Sequence, residues 1–279
     1  METLARTPSL PFVWGARTYI MGIVNVTPDS FSGDGLADDA ARAAEQARAM
    51  VAAGADIVDV GGESTRPGSA PVDEQDELAR VLPAIRAIAA AVSVPISIDT
   101  SKASVAEAAL QAGARIVNDV WALEADPAMA AVVARAGVPL ILMHNQHGAE
   151  YGDLVTDIIA KLRARIEVAL RAGVARDLLI LDPGIGFGKT GEQNLVAIDR
   201  LHELRVLGLP LLLGPSRKRF IGYILDDAPP DERLEGTAAA CAVGIARGAD
   251  IIRVHDVGPM AKVARVADAI VRRPDSRVQ

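Results

Sequence analysis

Three side chains at the ends of separate apolar runs have the chemistry to recognise a flat, nitrogen-rich molecule. Asp99 ends the run PISID, Asn118 lies at the end of RIVND, and Asp182 ends LLILD. Two carboxylates and an amide offer acceptors for several N–H groups and one donor. The pattern therefore predicts a site for a planar heterocycle, although Asp99 and Asp182, taken singly, are also typical helix N-caps.

A second group of residues has the chemistry of an anion site. Arg253 and His255 alternate in IIRVHD, so a strand there would direct both side chains to one face. Asn25, at the end of the first apolar run, is a neutral oxygen ligand. Beside a bound phosphate it could hold Mg²⁺, which takes few protein oxygens and keeps its waters. No His-x-His or cysteine cluster supports zinc, and His255 alone is equally typical of a hydrogen-bonded core histidine.

Loops with ligand-binding character follow several of these runs. PGIGFGK (183–189) has three glycines that allow close backbone approach to a ligand, but its spacing is not that of a phosphate loop. SRKR (216–219) is a dense basic loop, in which we expect Lys218 to act through its charge; a Schiff base at this lysine is the alternative. NVTPDSFSGDG (25–35) and GGESTRPGS (61–69) are typical of mobile loops that close over a site.

The elements that must position these residues repeat along the chain. Five segments share an Ala-rich stretch, a glycine and a short aliphatic run with a polar end, at 52–60, 111–119, 135–144, 171–184 and 246–256. The glycine is typical of a helix C-cap. The aliphatic runs are typical of parallel strands buried on both faces, and three more lie at 18–25, 94–100 and 209–216.

Eight strands alternating with amphipathic helices predict an α/β fold, a (β/α)₈ TIM barrel. We expect one domain over residues 1–279 with its core at about 18–272, and a short N-terminal hairpin under the barrel before Tyr19. The carboxyl ends of the strands would then meet at one face, which brings the polar ends together. An open doubly wound sheet is the alternative, but it usually has a glycine-rich dinucleotide turn after its first strand, and NVTPDSF is not one.

Composition restricts the class of protein. The 279 residues are 50% hydrophobic and 23% charged, which is ordinary for a globular protein with a sizeable core. The net charge of −7 argues against general nucleic-acid binding. Neither a signal peptide nor an 18-residue apolar run is present, so we expect a cytoplasmic protein that binds no membrane. The single cysteine, Cys241, is expected to be a buried structural thiol.

These motifs, in this order, resemble the dihydropteroate synthase family. The matching stretches span residues 21 to 257 and are MGIVNVTPDSFS, DVGGESTRPG, SIDT, IVNDV, LMH, LDPGIGFGK, SRKRFIG and RVHDV. Members of this family join 6-hydroxymethyl-7,8-dihydropterin diphosphate to p-aminobenzoate, giving dihydropteroate and diphosphate. The resemblance implies these small-molecule substrates, Mg²⁺ as cofactor, a homodimer, and sulfonamides that compete for the aminobenzoate site.

The resemblance also implies roles for individual residues. Catalytic roles are implied for Asp99, Lys218 and Asn25, and Asn25 is also the implied ligand of Mg²⁺. The implied pterin pocket consists of Asp99, Asn118, Asp182, Lys218, Met143 and Phe187. Diphosphate binding is implied for Asn25, Arg253 and His255. The implied p-aminobenzoate site consists of Phe31, Thr65, Arg66 and Pro67, next to Lys218.

The chain departs from the family pattern at three places. The first loop reads FSGDG, which moves its acid to Asp34; Pro215 precedes the SRK motif; and MHNQHG contains His147, which has no implied role. Three other functions are alternatives to this one. A pterin-dependent methyltransferase should lack the STRPG and SRK elements, a non-catalytic paralogue would bind pterin without forming product, and a barrel aldolase would use Lys218 as nucleophile.

Overall fold

Each of the eight predicted runs forms a strand in the computed structural model, which describes residues 11–26, 36–63 and 72–272. The strands are β1 (Tyr19–Asn25), β2 (Ile57–Gly61), β3 (Ile96–Asp99), β4 (Ile116–Asp119), β5 (Leu140–Met143), β6 (Leu179–Asp182), β7 (Leu212–Leu213) and β8 (Ile251–Val254). All pairs are parallel, in the order β6-β5-β4-β3-β2-β1-β8-β7, and a bridge between Leu181 and Leu211 joins β6 to the β7 segment. The ring is closed, so the barrel prediction is confirmed and the open sheet is wrong.

Helices surround the strands and connect each to the next. Within the described residues they are α1 (Leu36–Ala52), α2 (Glu74–Ala91), α3 (Ala103–Ala112), α4 (Met129–Ala136), α5 (Leu154–Arg171), α6 (Gly191–Asp199), α7 (Arg219–Ile224), α8 (Leu234–Ala246) and α9 (Val257–Val271). Asp73, Asp153 and Thr190 begin α2, α5 and α6 as N-caps, because each side-chain oxygen accepts a backbone N–H of the first turn.

The repeated glycine has the predicted role at the end of a helix. Gly137 ends α4 with φ 63° and ψ 38°, and its N–H donates to the carbonyl of Val133. This left-handed conformation is strained for a residue with a Cβ, which is why glycine recurs there. The corresponding glycines of the other four repeats also have positive φ.

An apolar layer fills the amino-terminal half of the barrel and determines where the site lies. Its members are Tyr19, Met21, Ile57, Ile116, Ile141, Ile180, Leu212 and Ile251. Side chains two positions further along a strand face the same way, so the next layer up includes Asp59, Asn118, Met143, Asp182 and Arg253 besides Ile23 and Gly214. The barrel is therefore apolar at one end and charged at its carboxyl-terminal end.

The predicted N-terminal hairpin is wrong for its described residues. Residues 11–17 form turns and bends without a strand, and Ala16 N–H donates to Val13 O at 3.1 Å. The aromatic rings of this segment close the bottom of the barrel instead. Phe12 lies 4.2 Å from the Tyr19 ring, and Trp14 lies 5.7 Å from it, between ring centroids. Packing of the Phe12 and Trp14 rings on Tyr19 therefore holds this segment in place of the hydrogen bonds of a hairpin.

The other structural predictions concern the thiol and the apolar helices. Cys241 is fully buried in α8, and burial raises the pKa of its thiol to about 12, as expected of a structural cysteine. Among the helices of the described residues, none is both long and apolar enough to cross a bilayer.

Candidate active site

The structure brings together the three predicted recognition residues. Asp99, Asn118 and Asp182 lie at the carboxyl ends of β3, β4 and β6, and all three are buried. One carboxylate oxygen of Asp182 accepts the N–H of Gly184 at 2.7 Å, so it also caps the loop that follows. Burial raises the pKa of Asp182, while the charge of Lys218 opposes this rise. The second oxygen of Asp182 remains for N–H donors of a ligand.

Arg253 is held between two carboxylates at the centre of the barrel. Its Nε donates to Asp59 Oδ2 and its Nη2 to Asp99 Oδ2, both at 2.6 Å. Asn118 Nδ2 lies 3.4 Å from the same Asp59 oxygen. Burial raises the pKa of Asp99 to about 7, and Arg253 limits the rise. A ligand that takes hydrogen bonds from Asp99 must therefore compete with Arg253.

His255 is held by a neighbour to which we had assigned no role. It follows β8 directly, and its Nδ1 lies 3.0 Å from the Oγ of Ser216, which also accepts the backbone N–H of His255 at 3.1 Å. Arg253 is instead held by Asp59 and Asp99, so Arg253 and His255, the two predicted anion ligands, are positioned by different residues. The serine fixes the imidazole beside the loop that carries Lys218.

Lys218 reaches into the site from the loop that follows β7. Its Nζ donates to the carbonyl of Ile185 and lies 4.6 Å from the centroid of the Phe187 ring. Burial lowers the pKa of Lys218 to about 8, and the nearby charge of Asp182 opposes this. The amine is therefore partly desolvated, which the dense positive charge of SRKR had argued against.

The other cations of this loop turn away from Lys218. Arg217 forms a two-bonded ion pair with Asp256 at 2.6 and 2.9 Å. Arg219 lies over the exposed ring of Tyr223, 5.3 Å from its centroid. Charge density in the sequence was misleading here, because neighbouring residues of a turn point in different directions.

A cavity of about 640 Å³ opens beside these residues, on the side of β3 to β6. Its lining includes Asp99, Trp121, His147, Phe187 and Lys189. The rings of Trp121 and His147 lie 4.9 Å apart, which gives His147 a place in the wall. This volume, with aromatic walls and a few charged groups, is typical of a small-molecule site.

The remaining predicted residues divide between the barrel and the mouth loops. Asn25 ends β1 opposite Gly61 of β2, and Met143 ends β5 opposite Asp182. Phe31, Thr65, Arg66, Pro67 and the displaced acid Asp34 lie outside the described residues.

Three residues of the site were missed as functional by our sequence reasoning. Asp59 lies within β2 and Ser216 follows β7, and nothing in the sequence indicated their partners. Lys189 ends the quoted motif GIGFGK, and a cation closing a glycine-rich loop was the signal available. Its Nζ lies within 3.1 Å of three acceptors at the ends of β5 and β6.

The arrangement combines two kinds of recognition at one barrel end. Buried carboxylates and an amide suit the N–H edge of a heterocycle, and Arg253, His255 and Lys218 suit a group that carries or develops negative charge. One serine–histidine pair, Ser216 with His255, lies in the described part of this site, and the same serine oxygen also accepts the backbone N–H of His255. The geometry therefore favours substitution on a bound heterocycle with an anionic leaving group.

Sequence comparisons place the chain among known enzymes. A family model described as "Pterin binding enzyme" matches residues 21–255. The dihydropteroate synthase of Synechocystis is 49% identical over 277 residues, covering 95% of this chain and 96% of that protein. The dihydropteroate synthase of Bacillus subtilis is 49% identical over 257 residues, covering 92% and 90%.

Solved structures agree in fold. A Clostridium difficile dihydropteroate synthase, determined in the presence of pteroic acid, has a TM-score of 0.91, 49% identity, and coverage of 94% of this chain and 100% of that chain. The Xanthomonas albilineans enzyme with 4-aminobenzoic acid has a TM-score of 0.88, 40% identity and coverage of 93% and 95%. A Yersinia pestis enzyme with a sulfonamide drug has a TM-score of 0.87, 42% identity and coverage of 92% and 96%.

Proposed function

The chain belongs to the pterin binding enzyme family and within it to the dihydropteroate synthases of folate biosynthesis, and on that premise we propose a role for each residue of the barrel mouth. The reaction joins 6-hydroxymethyl-7,8-dihydropterin diphosphate to p-aminobenzoate and releases diphosphate. The observation that carries the assignment of roles is the buried set of Asp99, Asn118 and Asp182 beside Lys218 and Arg253.

The pterin binds at the buried carboxylates. Asp99, Asn118 and Asp182 hydrogen-bond its N–H groups and ring nitrogens, and Lys218 donates to its carbonyl. Lys218, which donates to the carbonyl of Ile185 in this structure, leaves that carbonyl to do so. Met143 and Phe187 line the pocket. Support comes from the Clostridium difficile enzyme, whose structure was determined in the presence of pteroic acid.

The diphosphate binds beside β1 and β8. Arg253, His255 and Asn25 surround it, and Ser216 holds His255 in position. When Asp99 turns to the pterin, Arg253 keeps the hydrogen bond from its Nε to Asp59. Its Nη2, which Asp99 has left, then becomes available to the diphosphate. This exchange keeps the buried charges paired throughout.

The p-aminobenzoate site lies between the mouth loops and Lys218. Phe31, Thr65, Arg66 and Pro67 form its walls by resemblance to the family. The Xanthomonas albilineans enzyme binds 4-aminobenzoic acid, which supports such a site here. We propose sulfonamides as competitors for it, by analogy with the Yersinia pestis complex, and the cytoplasm as the place where the enzyme works.

The chemical step is a substitution at the pterin methylene. The carbon–oxygen bond to diphosphate breaks with both electrons going to oxygen, and Arg253 and His255 stabilise the charge on the leaving group. The electron-rich pterin shares the positive charge left on the methylene, and Asp99 stabilises that charge. The aniline nitrogen then forms the new bond and gives up one proton. No side chain forms a covalent bond in this scheme.

We propose Mg²⁺ as cofactor, with Asn25 as its ligand in the described part of the chain. Those residues contain no group of three or more His, Cys, Asp or Glu that could hold a metal by itself. That composition fits Mg²⁺, which usually keeps several waters and binds through one or two protein oxygens plus substrate phosphates. When bound, it supplies charge neutralisation for the diphosphate.

Removing the metal tests both the cofactor and the reaction. With both substrates and Mg²⁺, dihydropteroate should form; with excess EDTA its rate should fall at least tenfold, because the leaving diphosphate loses its counter-charge. Product is measured by chromatography. Added Mg²⁺ should restore the rate, and Asn25→Ala should raise the Mg²⁺ concentration needed for half-maximal activity. Pterin binding without product at any Mg²⁺ concentration would favour a non-catalytic paralogue.

We also propose a homodimer formed through the last helices. Tyr223 and Ile224 of α7, Val243 of α8, and Val266 and Ile270 of α9 are 45–63% exposed, and exposed apolar patches often mark protein–protein interfaces. Helices α8 and α9 pack against each other, so they form a continuous surface. Burial of this surface by a second copy would remove it from water.

Substitution on α9 should separate the protomers. Light scattering should give twice the chain mass of 29.2 kDa for the unaltered protein, and one chain mass for Val266→Glu with Ile270→Glu. Val206→Glu is the matched control, since Val206 is 68% exposed but lies before β7, outside α7 to α9. A monomer in the unaltered protein, or dissociation by the control alone, would contradict the proposed interface.

A further inference from the structure

The loop after β6 is pressed against the end of β5. It runs from Pro183 to Gly188, and Gly184 has φ 72°. A Cβ on Gly184 would lie only 1.9 Å from the backbone oxygen of His144. Glycine is required here both by the positive φ and by the close approach of two backbones. The shape of the loop therefore depends on what holds it to β5.

Lys189 holds this loop from the side of β5. Its Nζ donates to the carbonyl oxygens of Gly184 at 3.0 Å and Phe187 at 3.1 Å, and lies 3.1 Å from Nδ1 of His144. Within the described residues no ion pair joins Lys189 to a carboxylate. The ammonium of Lys189 therefore donates mainly to backbone carbonyls of the loop 183–188.

The contacts of Lys189 can be satisfied with or without its charge. Burial lowers the pKa of Lys189 to about 7 and that of His144 to about 3, so the imidazole is neutral. An ammonium donates to both carbonyls and to Nδ1. A neutral amine donates to both carbonyls and accepts from Nδ1–H of the other tautomer. Lys189 therefore keeps its hydrogen bonds to His144, Gly184 and Phe187 on both sides of neutral pH.

Lys218 holds the same loop from the opposite side. It donates to the carbonyl of Ile185, and its ammonium lies over the ring of Phe187. A Cβ on Gly186 would lie 2.7 Å from Lys218 Cδ, so the contact is close. Asn194 accepts the N–H of Gly186 at 2.6 Å, which fixes the middle of the loop. Binding of the pterin takes Lys218 away from Ile185 in the function proposed above.

We propose that Lys189 is a positioning residue for pterin binding, which keeps Gly184 and Phe187 in place when Lys218 turns from the loop to the substrate. Phe187 lines the pocket, and a displaced ring would narrow or open it. Lys189 touches neither the leaving group nor the nucleophile in this scheme. Its loss should therefore affect the pterin substrate and leave the aminobenzoate substrate unaffected. The proposal rests on the proposed function, but the position of the loop can be measured without it.

The test replaces Lys189 by methionine, which keeps the length of the side chain and removes the donors. The Michaelis constant for the pterin diphosphate should rise about tenfold, because the carbonyls of Gly184 and Phe187 lose their shared donor. The Michaelis constant for p-aminobenzoate and kcat should change less than twofold. Hydrogen–deuterium exchange of the ligand-free protein should increase in the peptide that covers residues 183–188.

Lys161→Met is the matched control. Lys161 also donates to a loop carbonyl, that of Asn145 at 2.6 Å, and pairs with Glu124 at 3.0 Å, but it has no contact with residues 183–188. It should change neither the exchange of that peptide nor the Michaelis constant for the pterin. A purely structural role for Lys189 would instead lower the melting temperature and the active fraction, with both Michaelis constants unchanged.

Three outcomes would overturn the proposal. They are an unchanged Michaelis constant for the pterin in Lys189→Met, equal rises for both substrates, and unchanged exchange at 183–188. If the methionine variant does not fold, Lys189→Gln retains a shorter donor and should give an intermediate rise in the same constant. An inactive unaltered protein would count against the proposed function, while the exchange result would still judge the role of Lys189 in the loop.

Discussion

Asp182→Asn should lower kcat/KM for the pterin diphosphate by about 1,000-fold, because each lost charge-assisted hydrogen bond contributes about 1.5–3 kcal/mol. The asparagine oxygen can still accept the N–H of Gly184, now at 2.7 Å from Asp182, so the loop should keep its cap. The amide nitrogen, however, presents donors to the donors of the pterin. A buried site left with a mismatched polar group strongly rejects its ligand. Steady-state kinetics measures the fall in kcat/KM, and titration with the pterin measures the loss of affinity.

Asp119→Asn is the matched control for this prediction. Asp119 is also a buried acid at the end of a barrel strand, β4, but it accepts the backbone N–H groups of Trp121 and Leu123 at 2.9 and 2.7 Å. Its substitution should lower the free energy of unfolding by about 1 kcal/mol and leave pterin affinity within about threefold. If both variants lose pterin affinity equally, the proposed role of Asp182 in recognition is refuted.

Arg253→Met should both destabilise the fold and abolish activity. It leaves Asp59 and Asp99 buried without their shared cation, and removing one partner of a buried ion pair costs about 3–5 kcal/mol. We therefore expect the free energy of unfolding to fall by about 3 kcal/mol at pH 8. Diphosphate inhibition should disappear with the anion contact. Urea unfolding and product inhibition are the measurements.

The loss of stability in this variant should depend on pH with a definite sign. Burial already raises the pKa of Asp99 to about 7 against the opposing charge of Arg253, so removal of Arg253 raises it further. A carboxyl whose pKa is higher in the folded than in the unfolded state binds more protons when folded, so stability increases as pH falls. The free energy of unfolding of Arg253→Met should therefore lie furthest below that of the unaltered protein at pH 8. The difference should be smaller at pH 5.5, where the carboxyl of Asp99 is protonated.

Arg135→Met provides the comparison for Arg253→Met. Arg135 pairs with Glu107 at 2.7 Å, but both side chains are about half exposed, and exposed pairs contribute about 0–1 kcal/mol. This variant should unfold almost as the unaltered protein does at either pH. Equal stability losses in the two variants, or a deficit of Arg253→Met that grows at low pH, would mean that the two carboxylates are not charged partners of Arg253.

The sequence by itself determined the barrel and the composition of its mouth. Short aliphatic runs such as LILM and LILD can only be buried on both faces, and a closed parallel sheet with outer helices does this for eight runs. The glycines before the runs need a positive φ, which marks the helix ends. Because parallel strands end at one face, the polar residues at their ends were predicted to meet. These are local properties of each run.

Only the tertiary structure decided which polar groups pair and which amines are enclosed. Arg253 lies 194 residues from Asp59 and 154 from Asp99, and it reaches both because closure of the ring brings β8 beside β1 and across from β3. The sequence places Lys218 between two arginines, yet the turn directs it inward and its neighbours outward. Lys189 and His144 meet because two backbones touch at Gly184. Which side chains pair depends on the register between strands and on the distances across the barrel. Neither quantity can be read from a local pattern in the sequence.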